Sequence, residues 1–166
     1  MTDFNNLFNV DALKKQVAEA SNKKTDYPEI PAGKYEVKII KAELGETKPK
    51  DNNDPKPMCK IQFKILDGDY KDNLIFYNKP LIGISKETGE LTALPLHYNN
   101  EFLKSLKVFA ENEIVFDDFD QYKDLLLDIA EVSEADDLSW LIEYKPGDDT
   151  KGTFPEFKVR RCLKSN

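Results

Sequence analysis

The segment PMCKIQFKILDGDYKDNLIFYNKPL, residues 57 to 81, alternates apolar and polar side chains on either side of a glycine-containing turn. Cys59, Ile61, Phe63 and Ile65 share one parity, and Met58, Lys60, Gln62 and Lys64 the other. That period of two is the mark of a half-buried strand. DGDYKD then makes a turn in which Gly68 supplies the unusual backbone angles. NLIFYNKPL returns as the second strand of a hairpin, with Leu74 and Phe76 on one parity and Tyr77 and Lys79 on the other. If Tyr77 and Lys79 face solvent together with Lys60 and Lys64, the hairpin carries a cationic track with an aromatic beside it.

Outward from the hairpin, KYEVKIIKAEL sets Tyr35, Val37 and Ile39 against Lys34, Glu36 and Lys38, which predicts a strand ahead of it. The thirteen residues GETKPKDNNDPKP between them hold no apolar side chain and read as a long loop. Further upstream, Asp11 is a candidate N-cap for a short helix with Leu7, Val10, Leu13 and Val17 at helical spacing, and SNKKTDYPEIPAG is a linker by composition. Downstream, residues 83 to 98 look irregular. Asn100 then predicts a helix with Phe102, Leu103, Leu106 and Phe109 as its stripe, and Asp120 a second with Tyr122, Leu125, Leu126 and Ile129. Strands return over Leu138 to Tyr144 and Phe154 to Leu163, around the loop KPGDDTKG, and Trp140 reads as a core residue.

Three strands, a helical insert and two strands predict a mainly β fold: a five-stranded OB-fold barrel with a two-helix insert between strands three and four and an appended N-terminal helix. A barrel also removes the edges of a five-stranded sheet. An open antiparallel sheet packed under two helices has the same sequence signature. Residues 1–29 form the helix and linker, and 30–166 the OB-fold domain.

The 166 residues carry a net charge of −7, which argues against phosphate binding until its distribution is considered. Glu101 to Asp137 holds twelve acids and three lysines, a balance of −9, so the rest of the chain sums to +2. From Lys151 onward five bases face one acid. No apolar run reaches the roughly 18 residues of a membrane helix, so a cytoplasmic protein without membrane contact is expected. Cys59 and Cys162 lie near no other ligand cluster, and DDFDQYKDLLLD lacks the glycine and final glutamate of an EF-hand loop, so neither metal nor cofactor is expected. His97 has no nucleophile motif beside it, and P-loop and GxGxxG patterns are absent from the sequence, which predicts no enzyme.

Single-strand binders pair a cationic groove with exposed aromatic faces. The residues fitting that description are Lys38, Lys60, Gln62, Lys64, Tyr77 and Lys79 on the first three strands. Lys151 and Phe154 add to them at the last loop, and Lys158 and Arg160 on the last strand. Arg161 breaks the alternation there and marks the strand's end in this reading. Lys48, Lys50 and Lys56 sit in the first long loop and could close over a bound strand, although Asp51 and Asp54 interleave with them.

IPAGKYEVKIIKAELGETK, PMCKIQFKILDGDYKDNLIFYN and the N-terminal LFNVDALKKQV resemble a family of small phage early proteins, long catalogued as a domain of unknown function. The resemblance covers most of residues 3 to 81, and its most specific parts are Gly33 to Tyr35 and LDGDYKDNLIF. Relatives commonly carry glycine at the position of Asp72. The resemblance implies an OB-fold, single-stranded-DNA-binding-like protein of phage replication or recombination, with single-stranded DNA as partner. A recombinase or helicase is a second expected partner, and a homo-oligomer is compatible with the chain. The competing expectation is an OB-fold interaction module that docks on a replication or recombination protein through its acidic helices, without binding DNA.

Overall fold

The chain's computed structural model describes residues 9–22, 29–47, 55–85, 87–148 and 154–164. Its five long strands are β1 (Gly33–Glu46), β2 (Pro57–Ile65), β3 (Leu74–Pro80), β6 (Leu138–Lys145) and β7 (Glu156–Lys164). They form one antiparallel sheet in the order β3-β2-β1-β6-β7. The two-residue strands β4 (Gly83–Ile84) and β5 (Leu91–Thr92) pair with each other, within the stretch expected to be irregular. The helices are α1 (Val10–Asn22), α2 (Leu94–Ser105) and α3 (Phe119–Ala135).

β1 serves two halves of the sheet. Gly33 to Val37 pairs with β6, and Val37 to Glu46 with β2. A bulge at Ile40 separates Ile39, opposite Phe63, from Lys41, opposite Gln62. The extra residue inverts the parity of everything after it. Val37 and Ile39 are buried before the bulge, and Ala42 after it. A bulge of this kind bends the strand and raises its twist, the usual means of carrying one strand across a corner between sheet halves.

The sheet does not close. β3 and β7 are its two edges and share no ladder, so the expected five-stranded barrel is an open sheet. The edges approach each other at one corner. There Lys79 Nζ donates to the Pro155 carbonyl at 3.4 Å, and the Tyr77 ring lies 5.1 Å from that of Phe157. Phe102 of α2 sits between the edges, stacked on Tyr77 at 4.2 Å and set edge-on to Phe63 and Phe157. An aromatic wedge takes the place of the missing strand pairing.

α2 begins six residues ahead of the expected cap at Asn100, with Pro95 in its first turn, where a missing N–H costs nothing. α3 is capped by Asp118 rather than Asp120, its side chain accepting from the Gln121 amide at 2.7 Å. Asn9, not Asp11, accepts from the Ala12 amide at the start of α1. Leu7 and the Val17 side chain lie outside the described residues.

α2 and α3 cover one face of the sheet. Leu96, Leu103, Leu106, Tyr122, Leu126 and Ile129 are buried against Ile61, Phe63, Ile65, Ile75 and Trp140. Burying each such side chain stabilises the fold by roughly 1.5–3 kcal/mol. Trp140 is a core residue, and its indole N–H donates to the Leu106 carbonyl at 2.6 Å. A buried polar chain ties the layers together. Tyr77 donates to Asn99 Oδ1 at 2.7 Å, Asn99 Nδ2 donates to the Tyr122 hydroxyl at 2.8 Å, and Tyr122 donates to Asn100 Oδ1 at 2.6 Å. Asn99 and Asn100 are therefore spent inside the fold and not at a helix end.

Candidate nucleic-acid interface

Since the helices cover one face, every residue of the opposite parity on the strands meets solvent. Cross-strand register places Lys38 opposite Lys64, Lys41 opposite Gln62, and Glu43 opposite Lys60. Across the next ladder Gln62 faces Phe76, and Lys60 faces Asn78. Lys41, Glu43, Lys60, Gln62, Phe76 and Asn78 line a shallow hollow of about 210 Å³ on this outer face. Phe76 is 46% exposed at its rim.

Two expected residues are elsewhere. Tyr77 is opposite Ile61 and only 3% exposed, and burial pushes its hydroxyl well above the ordinary tyrosine range. It is a core residue and offers no ring to a ligand. Lys79 is opposite Cys59, on the helix side, with its ammonium over the Tyr77 ring at 5.9 Å. Burial lowers its pKa against the opposing pull of Glu156. The single track through Lys60, Lys64 and Lys79 does not exist. Leu74 to Tyr77 is apolar on both parities, so alternation alone could not orient β3. Its register with β2 does.

Phe76 and Lys41 take the vacant roles. Phe76 is the aromatic on the outer face, and the Ile40 bulge brings Lys41 beside Gln62, a placement that uninterrupted alternation would have given to the other face. Lys60 and Lys64 do share the outer face, about 13 Å apart at strand rise. Like charges directly opposite destabilise a ladder, and the Lys38–Lys64 pair is offset by one carboxylate each. Asp137 lies 2.7 Å from Lys38 Nζ and Asp72 lies 3.4 Å from Lys64 Nζ. Lys41 is 3.5 Å from Glu43. Exposed pairs of this kind are worth about 0–1 kcal/mol, weak enough for a phosphate to displace the acid.

Asp72 holds a left-handed backbone at φ 71°, and Gly68 another at φ 80°. A glycine at position 72 would suit that geometry, since left-handed backbone is costly for most L residues.

On β7, Lys158 faces Glu143 across the ladder. Arg160 is a bulged residue whose Nε donates to Glu143 Oε2 at 2.8 Å, joined by Nη2. Those bonds hold the Glu143 carboxyl below the usual range. Arg161 breaks the alternation because of this bulge and does not end the strand, which runs on to Lys164. Phe154 is 79% exposed beside the corner where β3 meets β7. The first long loop starts at the same end of the sheet: Thr47 and Lys56 close its base, and the Leu81 amide reaches the Pro57 carbonyl at 2.9 Å. Lys48, Lys50 and Lys151 lie outside the described residues.

The acids of α3, namely Asp120, Asp124, Asp128, Glu131 and Glu134, are all exposed on the helical layer, away from the outer sheet face. The acids of α3 thus lie on the layer opposite Lys38, Lys41, Lys60 and Lys64, although Glu43, Asp72 and Asp137 accompany those lysines on the outer face. Chemically, the outer face offers a ring for stacking, ammonium groups for phosphates, and the amides of Gln62 and Asn78 for base edges.

Fold and face together define a class: an open antiparallel sheet with helices on one side and a cationic, aromatic-bearing surface on the other. The chain belongs to the family described as "Protein of unknown function (DUF669)", whose model matches residues 17–125, from α1 into α3. No curated protein and no solved structure matches it. Among the described residues, no helix is long and apolar enough to cross a membrane.

Proposed function

We propose that this is a single-stranded-DNA-binding protein of phage replication or recombination, gripping its strand on the outer face of β1, β2 and β3. The carrying observation is Phe76, a large exposed ring set in a hollow with Lys41, Lys60, Gln62 and Asn78. A base stacked on Phe76 leaves its flanking phosphates within reach of Lys41, Lys60 and Lys64, and stacking of this kind tolerates any sequence. The resemblance to OB-fold phage early proteins supports the reading. So do the helical insert between the third and fourth long strands and the β1 strand that serves both sheet halves, which fit an OB-type chain whose last seam is filled by Phe102 in place of hydrogen bonds.

The test is oligo-dT affinity as a function of salt, for the wild type and for Lys60→Glu with Lys64→Glu. Each phosphate contact contributes roughly 0.7 to the slope of log affinity against log salt on single strands. The double variant is expected to bind more weakly and with a shallower slope. Salt-insensitive binding, or none at low salt, ends the proposal.

The exposed acids of α3 lie among Phe119 and Leu127, both partly exposed, which favours a second reading: this surface docks a basic recombinase or helicase. Co-purification with and without nuclease separates direct docking from association through DNA.

A further inference from the structure

β3 is an edge strand, and its register with β2 fixes where its free backbone groups lie. The ladder runs without a bulge from Met58 opposite Pro80 to Lys64 opposite Leu74. At its two ends the Leu81 amide donates to the Pro57 carbonyl and the Ile65 amide to the Asn73 carbonyl, both at 2.9 Å. Antiparallel pairs alternate between bonded and unbonded, so Ile75, Tyr77 and Lys79 turn their N–H and C=O groups toward β2. Leu74, Phe76 and Asn78 turn theirs outward. Among the described residues no strand pairs with that side. The contacts of β3 with β7 are made by the Tyr77 and Lys79 side chains, on the helix side, and Phe76 and Asn78 are exposed.

The two edges of the sheet are guarded differently. β7, EFKVRRCLK, carries five charged residues in nine, and charge along an edge is a usual guard against pairing with another chain. Leu74 to Asn78, LIFYN, carries none, and its apolar side chains face both ways. The segment is also complementary to itself. About a two-fold axis at Phe76, Leu74 of one copy meets Asn78 of the other and Phe76 meets Phe76, so every outward residue is bonded. Three N–H and three C=O groups from each copy make six hydrogen bonds. On the helix side the same register sets Ile75 against Tyr77. Further out it sets Lys79 against Asn73 and Pro80 against Asp72, so no like charges are opposed.

We propose that two copies of this chain join through β3, edge to edge and antiparallel about that axis, to form one ten-stranded sheet. Such an interface is isologous and closes on itself, and the edges left to the joined sheet are two charged β7 strands, which resist further pairing. The Phe76 pair adds an aromatic cross-strand contact at its centre. The pairing requires no ligand. Where the outer face binds DNA as proposed above, it sets two Phe76 hollows side by side on one continuous face.

The test is sedimentation equilibrium of the full chain without nucleic acid, together with amide hydrogen exchange at high and low protein concentration. A reversible dimer is expected, in which the amides of Leu74, Phe76 and Asn78 are protected when concentrated and lose protection on dilution. Those of Ile75 and Tyr77, bonded to β2, stay protected at both concentrations. Phe76→Lys opposes two ammonium groups across the axis and gives a monomer. Leu74→Pro removes an outward N–H from each copy, a change an edge strand tolerates, and so deletes two of the six bonds and weakens dimerisation about five- to 150-fold. A chain that stays monomeric when concentrated overturns the proposal. So does a dimer whose Leu74, Phe76 and Asn78 amides exchange freely, or one that both variants leave intact. Failure of the wild type to bind oligo-dT while the dimer persists counts against the DNA reading alone.

Discussion

Adjacent residues on β3 make opposite predictions, and that contrast tests the functional face most directly. Phe76 is 46% exposed and Tyr77 3%, on opposite sides of the same strand. Phe76→Ala removes the stacking platform. Base–aromatic stacking is worth roughly 1–3 kcal/mol, so oligo-dT affinity falls about five- to 150-fold, while the fold loses little because the ring packs on no helix. Tyr77→Phe keeps the ring on Phe102 but deletes the donor that satisfies Asn99 Oδ1 at 2.7 Å. A buried acceptor left without its donor costs about 1–3 kcal/mol. For a chain of this length each kcal/mol lowers the melting temperature by roughly 2–4 °C, so a drop of about 2–12 °C is expected, with DNA affinity unchanged. Calorimetry and fluorescence anisotropy on the same two preparations read both quantities. Weaker DNA binding by Tyr77→Phe at intact stability, or full affinity in Phe76→Ala, would refute the assignment of the outer face.

Three further outcomes follow from particular contacts. Asp72→Gly removes the carboxylate 3.4 Å from Lys64 Nζ and relieves a left-handed backbone, so oligo-dT binding tightens about two- to fivefold with a steeper salt slope, read by the same anisotropy titration. Stability changes little, because the flexibility glycine adds to the unfolded chain, about 0.4–1 kcal/mol, offsets the relief. Alkaline pH destabilises the fold: burial pushes the Cys59 thiol from 9.0 up to about 12 against the opposing Asn99 hydrogen bond, and raises the Tyr77 and Tyr122 hydroxyls as well. A raised folded pKa gives stability that is complete below the unfolded value and lost above it, so Cys59 costs about 1.4 kcal/mol by pH 10, measured as a falling urea midpoint whose slope between pH 9 and 10 Cys59→Val makes shallower, leaving the share of the two tyrosines. Lys79→Met, at a half-buried position whose pKa is already lowered, leaves oligo-dT affinity as in the wild type, since its ammonium lies on the helix side of the sheet.

The sequence was most legible where polar and apolar residues alternate in sharp contrast. β2 reads without ambiguity because each of Cys59, Ile61, Phe63 and Ile65 is flanked by a polar or flexible residue, and the first half of β1 reads the same way. Contrast fails over Leu74 to Tyr77, and there the orientation comes from pairing with β2, a long-range fact. Both bulges were also hidden, although each falls on a repeated residue, Ile39–Ile40 and Arg160–Arg161, where strict alternation is impossible. Lys41 was missed for this reason. The helix start at Leu94 was signalled only by Pro95, while Asn99 and Asn100, good caps by type, are drawn into bonds with Tyr77 and Tyr122 that no local pattern shows. Closure of the sheet depends on how far β3 and β7 curl toward each other, and strands separated by three others leave no sequence signal of that.

The local placement of charge makes the proposed nucleic-acid surface compatible with a chain at −7. At physiological salt, exposed charges beyond about 8 Å of one another are largely screened, so an approaching strand responds to the face it meets and not to the total. The outer sheet face presents Lys38, Lys41, Lys60 and Lys64, three of them offset by carboxylates that a phosphate can displace, while the carboxylates of α3 occupy the opposite layer. If the outer face binds DNA as proposed, a strand meeting α3 is repelled and one meeting β2 is retained, so the acid that counts against DNA binding in the composition would orient the encounter. On the same proposal, the carboxylates on Lys38, Lys41 and Lys64 limit how tightly the face would hold: each must be released before its lysine takes a phosphate, which would leave binding weak enough to exchange along a strand.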